Sequence, residues 1–217
     1  MKKLILFTAW IVLMDVINSN AQTNTHNNTR GETILLGPVA GFGSSWVGYA
    51  PGSAMAVPSG YGGIGLIDIK GPHWGWGGQL VLSSEGYKTS YPRFQQKDIP
   101  LYLRLPVRAY YFFGNRSNIV RPDIYLGPSF GMKASEHMIT NNYLGDVTND
   151  HNASNFRLFD AGIDGGAGVN IQLSRQMSLN LALEYYQGIT DALKDAADTY
   201  NTDHDFDLTL GLLFDLR

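Results

Sequence analysis

Ionisable residues of both signs stand inside segments of this 217-residue chain that are otherwise largely apolar. Arg104 and Arg108, for example, lie opposite an unbroken aliphatic stripe in the segment IPLYLRLPVRAYYFF. Seven such residues are predicted to face one polar interior: Glu85, Arg104, Arg108, Lys133, Asp160, Asp164 and Glu184. Opposite charges enclosed in a narrow interior pair with one another, so we predict a structural ion-pair network. A gap in that network would instead form a polar conduit or a small-solute site, and this alternative stays open.

Other groupings of chemically competent residues are interpreted more simply. The sequence Asp-His-Asp at 203–205, with Asp-His at 150–151, could bind a divalent cation, but we interpret both as solvated polar loops. Residues 83–85 (Ser-Ser-Glu) have no histidine on their strand to act as a base, so no catalytic triad is predicted. The glycine-rich run Gly162–Gly168 has no helix after it to bind an anion, and glycine there is expected to relieve crowding. We therefore predict no catalytic residue, no cofactor and no metal ligand.

The segment Ile99–Phe113 defines the elements that position these residues. Its odd-numbered positions are apolar or aromatic throughout, and its even-numbered positions include both arginines. This strict period of two is typical of a strand with two unlike faces. The segment is 15 residues long, whereas strands of soluble domains usually have about five or six. Such a length, tilted by about 40°, crosses a bilayer, so we predict a transmembrane β-strand with a polar interior face.

Seven further segments are predicted to be strands on the same grounds. They are Thr33–Ser44, Tyr61–Lys70, Trp74–Tyr87, Asp123–Lys133, Arg157–Leu173, Met177–Ile189 and Phe206–Leu216. The first two are glycine-rich, and their pattern does not assign an inner and an outer face. Proline lacks the amide that a strand ladder needs, so we predict a β-bulge near Gly127-Pro128.

The connections between these strands alternate in length. The long polar segments are 45–60, 88–98, 134–156 and 190–205, and the shorter ones are 71–73, 114–122 and 174–176. Long outer loops and short periplasmic turns are the outer-membrane pattern. The sequence thus predicts an all-β fold, an eight-stranded antiparallel up-and-down transmembrane β-barrel. Aromatic residues expected at the membrane interfaces are Trp74, Trp76, Tyr111, Phe113, Tyr185 and Phe214.

The beginning of the chain has the features of an export signal. Residues 1–21 combine two lysines, a short apolar run and a small-residue cleavage site, so we predict a signal peptide. Residues 22–32 are predicted to be a flexible polar leader and residues 33–217 the barrel. Because Lys2, Lys3 and Asp15 leave with the signal, the formal net charge changes from −3 to −4, which argues against a nucleic-acid partner. The chain contains no cysteine, which excludes disulfides and thiolate metal sites.

Several motifs resemble the PorT-like outer-membrane β-barrel family of Bacteroidetes-type bacteria. They are IPLYLRLPVRAYYFF, DIYLGPSFGMKAS, FDAGIDGGAGVNI, LNLALEYYQGITD and the terminal FDLTLGLLF. The resemblance covers Thr33–Arg217 and implies an eight-stranded barrel in the outer membrane, with a link to protein secretion through the member that gives the family its name. It also implies insertion by the barrel assembly machinery. One departure is that Phe214 is followed by three further residues, whereas such barrels typically end on an aromatic residue.

Three classes of function remain open at this stage. The favoured one is a non-enzymatic, monomeric outer-membrane barrel that contacts membrane lipids and lipopolysaccharide. Its exterior loops would make it a scaffold or an assembly or adhesion partner. The second is transport of small or apolar solutes, and the third is a lipid-modifying enzyme. A soluble lipocalin-like barrel is the competing fold. It would point every apolar stripe inward, and the aromatic belts favour the membrane barrel.

Overall fold

The structure, a computed structural model, describes residues 32–48, 53–142, 146–150, 154–194 and 201–216. The predicted signal peptide and nearly all of the predicted leader lie outside the described residues, as does His151. The part that is described is built from strands and turns, and none of its residues form a helix with the length and hydropathy needed to cross a membrane.

Eleven strands make up this part of the chain. They are β1 (Glu32–Val47), β2 (Ser53–Met55), β3 (Val57–Lys70), β4 (Trp74–Ser84), β5 (Tyr87–Ser90), β6 (Phe94–Phe112), β7 (Val120–Asn142), β8 (Val147–Asp150), β9 (Phe159–Gln172), β10 (Met177–Gly188) and β11 (Asp203–Asp215).

Eight of these strands form a closed antiparallel ring. The order of pairing is β1, β3, β4, β6, β7, β9, β10 and β11, and β11 pairs back with β1 from Leu35 opposite Asp215 to Val47 opposite Asp203. Because the first and last long strands pair with each other, the ring has no free sheet edge. The predicted eight-stranded up-and-down barrel is confirmed.

The two ends of the barrel differ as the loop lengths predict, but the strands run further than the pattern indicates. Short turns join the strands at one end, where Gly71 adopts a φ of +71° that favours glycine. At the other end β6 begins at Phe94 and β7 continues to Asn142. Parts of the predicted loops 88–98 and 134–156 are therefore strand, because beyond the apolar region both faces are polar and the alternation fades.

Side chains alternate between the barrel interior and its exterior. On β6 the even-numbered Arg104 and Arg108 are buried, while the odd-numbered Leu105 and Val107 are exposed. The glycine-rich β1 and β3 turn their odd-numbered residues inward. Large apolar side chains are thus exposed around the outside of the ring, and polar ones are enclosed. In an aqueous protein such a surface would be unfavourable, whereas in a membrane it faces lipid.

The predicted bulge is displaced along β7. Residues Gly127 and Pro128 continue the β7–β9 ladder opposite Asp164 and Ile163 without a shift, so the prediction of a bulge there is wrong. The shift in register lies between Leu101 and Tyr102 of β6, which pair with Ser135 and Lys133. Ala134 is therefore the extra residue. A bulge at this position bends β7 where it leaves the apolar region.

Two apolar clusters fill the interior at different heights. The first extends from the short-turn end toward mid-barrel and includes Leu35, Ile67, Ile69, Phe112 and Leu213. The second lies near the long connections and consists of Val47, Tyr87, Phe156, Ala192 and Leu193. The ionisable side chains described next lie between them, excluded from bulk water.

Candidate functional site

Arg104 is the centre of a buried carboxylate cluster in the barrel interior. Its Nε and Nη2 groups donate to the two carboxylate oxygens of Glu85, and Nη2 also donates to Asp160 Oδ2 at 2.7 Å. Asp203 Oδ2 lies 3.7 Å from the same Nη2. All four side chains are at most 7% exposed. The planar guanidinium fits a carboxylate with two parallel hydrogen bonds. This geometry holds together four side chains that come from four different strands or connections.

Aromatic rings enclose the same guanidinium. Its Cζ lies 4.1 Å from the ring centroid of Tyr186 and 5.1 Å from that of Tyr102. The Tyr186 hydroxyl donates to Asp160 Oδ2 at 2.6 Å. The rings exclude water and contribute a cation–π attraction, which strengthens the electrostatic interactions inside.

Arg108 forms a second cluster one step closer to the short turns. It donates to Asp164 through Nε and through Nη2, the latter at 3.0 Å from Oδ2, and to Glu184 Oε1 through Nη2. Glu184 Oε2 accepts hydrogen bonds from the hydroxyls of Tyr61 at 3.0 Å and Tyr125 at 3.2 Å. Arg108 is 1% exposed. Arg108 and Glu184 therefore each have several partners, and Asp164 accepts two hydrogen bonds from Arg108. A buried charge requires such partners.

The structure brings six of the seven predicted interior residues into these two clusters. Lys133 is the exception, because its ammonium group donates to Glu136 and to the carbonyl oxygen of Phe156, the latter at 2.7 Å. These partners lie toward the long connections. Lys133 thus fastens the segment around Phe156 to β7.

Three interior carboxylates were not predicted from the sequence. Asp203, Asp205 and Asp207 all point inward from β11 and are at most 5% exposed. The Ser59 hydroxyl lies 2.6 Å from Asp205 Oδ1 and 3.0 Å from Asp207 Oδ1. The alternation of apolar and polar residues from Phe206 onward extends back to residue 203. This pattern could have predicted that the three aspartates point inward.

The cation site considered at residues 203–205 is not formed. Because adjacent strand residues face opposite ways, His204 points outward while its two neighbours point inward. The His204 ring stacks on Trp46 with ring centroids 5.3 Å apart. His151 lies outside the described residues.

A different set of carboxylates has the spacing that could suit a cation. Oxygens of Glu85, Asp160 and Asp203 all lie within 4.8 Å of one another. The Arg104 guanidinium contacts the same three groups, however, and takes the position that a metal ion would need. A cavity of about 20 Å³ remains beside this cluster, lined in part by Asp205 and Asp207, and it has room for about one water molecule. The arrangement is therefore that of a packed ion-pair network.

Inward-facing glycines of β9 make room for the tyrosines of the network. A Cβ atom at Gly162 would meet the carbonyl oxygen of Gln187 and the ring of Tyr186, and one at Gly166 would meet the carbonyl oxygen of Leu183 and the side chain of Tyr125. Gly166 and Tyr125 are directly paired across β7 and β9. The glycines thus permit the close approach of bulky rings that hold the arginines.

The predicted interfacial aromatics lie on the exterior. Four of them are near the short-turn end, where Trp74 and Phe113 each pack edge-on against Tyr111 with centroids 5.1 and 5.0 Å apart, and Phe214 lies near the end of β11. Trp76 is also exposed, two residues further along β4. Tyr185 lies nearer the other end, and its hydroxyl contacts His204 Nδ1 at 2.9 Å. Trp46, which stacks on that histidine, is an aromatic that the sequence interpretation missed.

Five strands form a sheet that projects from the long-connection end. We call this surface the outer extension, and it consists of β2, β5, β8 and the outer ends of β6 and β7. The order across it is β2, β5, β6, β7 and β8. Within the described residues, β2 pairs only with β5 and β8 pairs only with β7. Val147 of β8 is 62% exposed and Met55 of β2 is 42% exposed.

Buried polar contacts hold the base of the outer extension. Asp98 of β6 is 1% exposed and accepts hydrogen bonds from Gln96 Nε2 at 2.9 Å and Asn155 Nδ2 at 3.4 Å. Glu136 of β7 accepts one from the backbone amide of Asn155 at 2.8 Å. Asp98 lies beyond the apolar part of β6, outside the membrane-spanning segment that we take as Leu101–Tyr111. Burial, followed by the negative charge of Glu136, raises the pKa of Asp98.

The fold and its two faces define a class of protein. A closed antiparallel ring with an apolar exterior, interfacial aromatics and enclosed charges is an integral β-barrel of the bacterial outer membrane. The model of the family described as "Outer membrane protein beta-barrel domain" matches residues 61–194, more than half of the chain. The chain belongs to that family.

Several solved structures are similar to this chain at low sequence identity. The attachment invasion locus protein Ail of Yersinia pestis is 15% identical, with 85% of this chain and 99% of that chain covered and a TM-score of 0.40. OprG of Pseudomonas aeruginosa is 14% identical, with 86% and 96% covered and a TM-score of 0.49. Outer membrane protein W of E. coli is 14% identical, with 83% and 97% covered and a TM-score of 0.44. No curated protein sequence matches the chain.

Proposed function

We propose that this barrel is a non-enzymatic scaffold of the outer membrane that docks a protein partner on its outer extension. The observation that carries the proposal is the sheet that projects beyond the apolar belt and ends in β2 and β8, each paired on one side within the described residues. An extended segment of another protein can add as a further strand to the edge of a sheet.

The filled interior favours docking over transport. Side chains of both arginine clusters span the ring, and the cavity beside them has a volume of about 20 Å³. An eight-stranded barrel is just wide enough for its side chains to fill it. Passage of a solute would require both clusters to open, which would leave buried charges without partners.

The outer rim also favours a role other than catalysis. His204 contacts the Tyr185 hydroxyl through Nδ1 and the Thr202 hydroxyl through Nε2, at 2.9 and 3.2 Å. That arrangement resembles a nucleophile, a base and an orienting group. The Thr202 side chain is 4% exposed, however, so a lipid substrate could not reach it. We propose that these residues anchor the barrel in the interface.

The finer part of the proposal concerns partners. The resemblance to PorT-like barrels supports a role in protein secretion, with insertion by the barrel assembly machinery. The apolar exterior and the interfacial aromatics support contact with membrane lipids and, at the outer rim, with lipopolysaccharide. The docking role is proposed for a single barrel, because the closed ring needs no second copy to complete its sheet.

A photo-crosslinking experiment in cells tests the docking role. A photoreactive amino acid at Val147 is expected to give a discrete protein adduct, whereas the same amino acid at the lipid-facing Ile64 is expected to give none. Val147→Lys places a charge on the edge of β8, which blocks strand addition, so an adduct formed from a probe at Thr148 on the same strand should weaken.

The matched control is Ile119→Lys, which changes a side chain of similar exposure at the opposite end of the barrel. It should leave the adduct and the amount of folded barrel unchanged. If the proposed link to secretion holds, Val147→Lys should reduce secreted protein in the culture medium and Ile119→Lys should not. Equal adducts at Val147 and Ile64, or equal effects of the two lysine variants, would refute docking on this edge.

A further inference from the structure

A second cavity lies inside the short-turn end of the barrel, away from the outer extension. Its volume is about 180 Å³. The beginning of β1, the end of β9, the turn after it and the connection between β6 and β7 contribute its lining, which includes Arg116, Arg121 and Arg175. One carboxylate, that of Asp215, also lines it. The cavity opens on the side where the short turns lie, which is the periplasmic side of such barrels.

Neutral groups help to position two of these arginines. Arg121 Nη2 donates to the carbonyl oxygen of Pro72 at 2.6 Å, and its guanidinium lies 4.8 Å from the ring centroid of Phe112. Arg116 Nη2 donates to Thr33 Oγ1 at 2.7 Å. Arg175 is exposed in the turn between β9 and β10. The carbonyl oxygen of Pro72 positions the Arg121 guanidinium without neutralising it, and Arg121 and Arg175 bring positive charge to the lining of the cavity.

Unused hydrogen-bond donors face the same space. Arg121 is 7% exposed and its Nε group is buried without an acceptor, and the Nδ2 group of Asn170, 8% exposed, is likewise buried without one. Both residues line the cavity. Asp123 follows Arg121 on the same face of β7 but is not part of the lining. Buried donors without acceptors are unfavourable, and a ligand that supplies acceptors would remove that cost.

We propose that this cavity binds a phosphate group at the periplasmic mouth of the barrel. Guanidinium groups pair with phosphate oxygens in a fixed fork geometry, and phosphate supplies several strong acceptors in a small volume. A cavity of this size is smaller than those that enclose drug-sized ligands. The group is carried either by free phosphate or by the headgroup of a phospholipid in the periplasmic leaflet.

Calorimetric titration of the refolded barrel in a phosphate-free, uncharged detergent tests the site. Inorganic phosphate is added in one arm and a short-chain phosphatidylglycerol in the other, each against chloride at equal ionic strength. Binding of inorganic phosphate identifies free phosphate as the source, and binding of phosphatidylglycerol alone identifies the lipid headgroup. The Nε–H resonance of Arg121 should shift on binding in either arm.

Two variants and a control make the result specific. Arg175→Gln removes a charge from an exposed turn with little risk to folding, and Arg121→Gln removes the buried donor. Each should weaken binding about tenfold or more, because a hydrogen bond to a charged group is lost. Arg93→Gln removes the same charge from an exposed position at the opposite end and should leave binding unchanged. The proposal is overturned if neither ligand binds, or if Arg93→Gln weakens binding as much as Arg175→Gln.

Discussion

Replacing Arg104 by alanine is the most informative single change in the barrel interior. The guanidinium contacts Glu85, Asp160 and Asp203, and all of these side chains are at most 7% exposed. Alanine would leave three buried carboxylates around an empty space with no cation between them. They would repel one another, and water could not reach them without opening the barrel.

The expected loss of stability follows from this burial. Breaking a buried ion pair by removing one partner costs about 3–5 kcal/mol. With a denaturant dependence of about 2 kcal/mol per molar urea, a loss of about 4 kcal/mol lowers the unfolding midpoint by about 2 M. Because the carboxylates cause much of this loss, adding Glu85→Gln to Arg104→Ala should restore part of the stability.

The assay is equilibrium unfolding by urea in detergent micelles, followed by tryptophan fluorescence and by the heat-dependent shift on a gel. Arg157→Ala is the matched control, because the Arg157–Asp191 pair is 3.4 Å long with side chains 48% and 34% exposed. Exposed pairs contribute about 0–1 kcal/mol. If Arg104→Ala unfolds at the same midpoint as Arg157→Ala, the account of a buried, tightly coupled network is wrong.

Three further predictions concern packing, pH and conductance. Gly166→Ala should destabilise the barrel by about 1–3 kcal/mol in the same urea assay, because its Cβ would meet the backbone carbonyl oxygen of Leu183 and the side chain of Tyr125, whereas Gly62→Ala, with open space around its Cβ, should change stability little. Burial and the charge of Glu136 raise the pKa of Asp98, so its contribution to folding is present at acid pH and is lost as the pH rises from about 4 through the raised pKa. Hydrogen-exchange protection of the β5 amides should fall over that range, and Asp98→Asn should abolish the pH dependence; an unchanged dependence would contradict this. In planar bilayers the wild-type barrel should give no sustained conductance steps, and steady open channels would contradict a filled interior.

The sequence allowed the membrane-spanning part of the barrel to be predicted because one face of each strand meets lipid. On β6, the alternation of leucine and arginine assigns both faces, and the structure places Arg104 and Arg108 inside. Because every second residue of these strands faces lipid, apolar and polar residues alternate along the whole strand. An edge strand of a soluble protein has no such requirement at this length. The same rule holds for β7, β9, β10 and β11.

The alternation of apolar and polar residues no longer indicates strands beyond the lipid layer. The outer ends of β6 and β7 carry polar residues on both faces, so they were interpreted as loops although they form strand up to Asn142. Asp203 and Asp205 were assigned to a loop for the same reason and are in fact interior residues. Local sequence also misplaced the bulge, because Pro128 is accommodated in the ladder while Ala134 is inserted at the point where β7 leaves the membrane.

The central claim is that the leucine and aromatic stripes face lipid and the charged residues face inward, and site-directed spin labelling tests it most directly. The chain has no cysteine, so single cysteines can be introduced at Leu80, Leu105, Phe130 and Leu208, which are exposed positions on four different strands. We expect nitroxides at these positions, in lipid vesicles, to be accessible to oxygen and protected from a water-soluble nickel reagent. Accessibility to the nickel reagent with protection from oxygen would invert the two faces and contradict the membrane barrel.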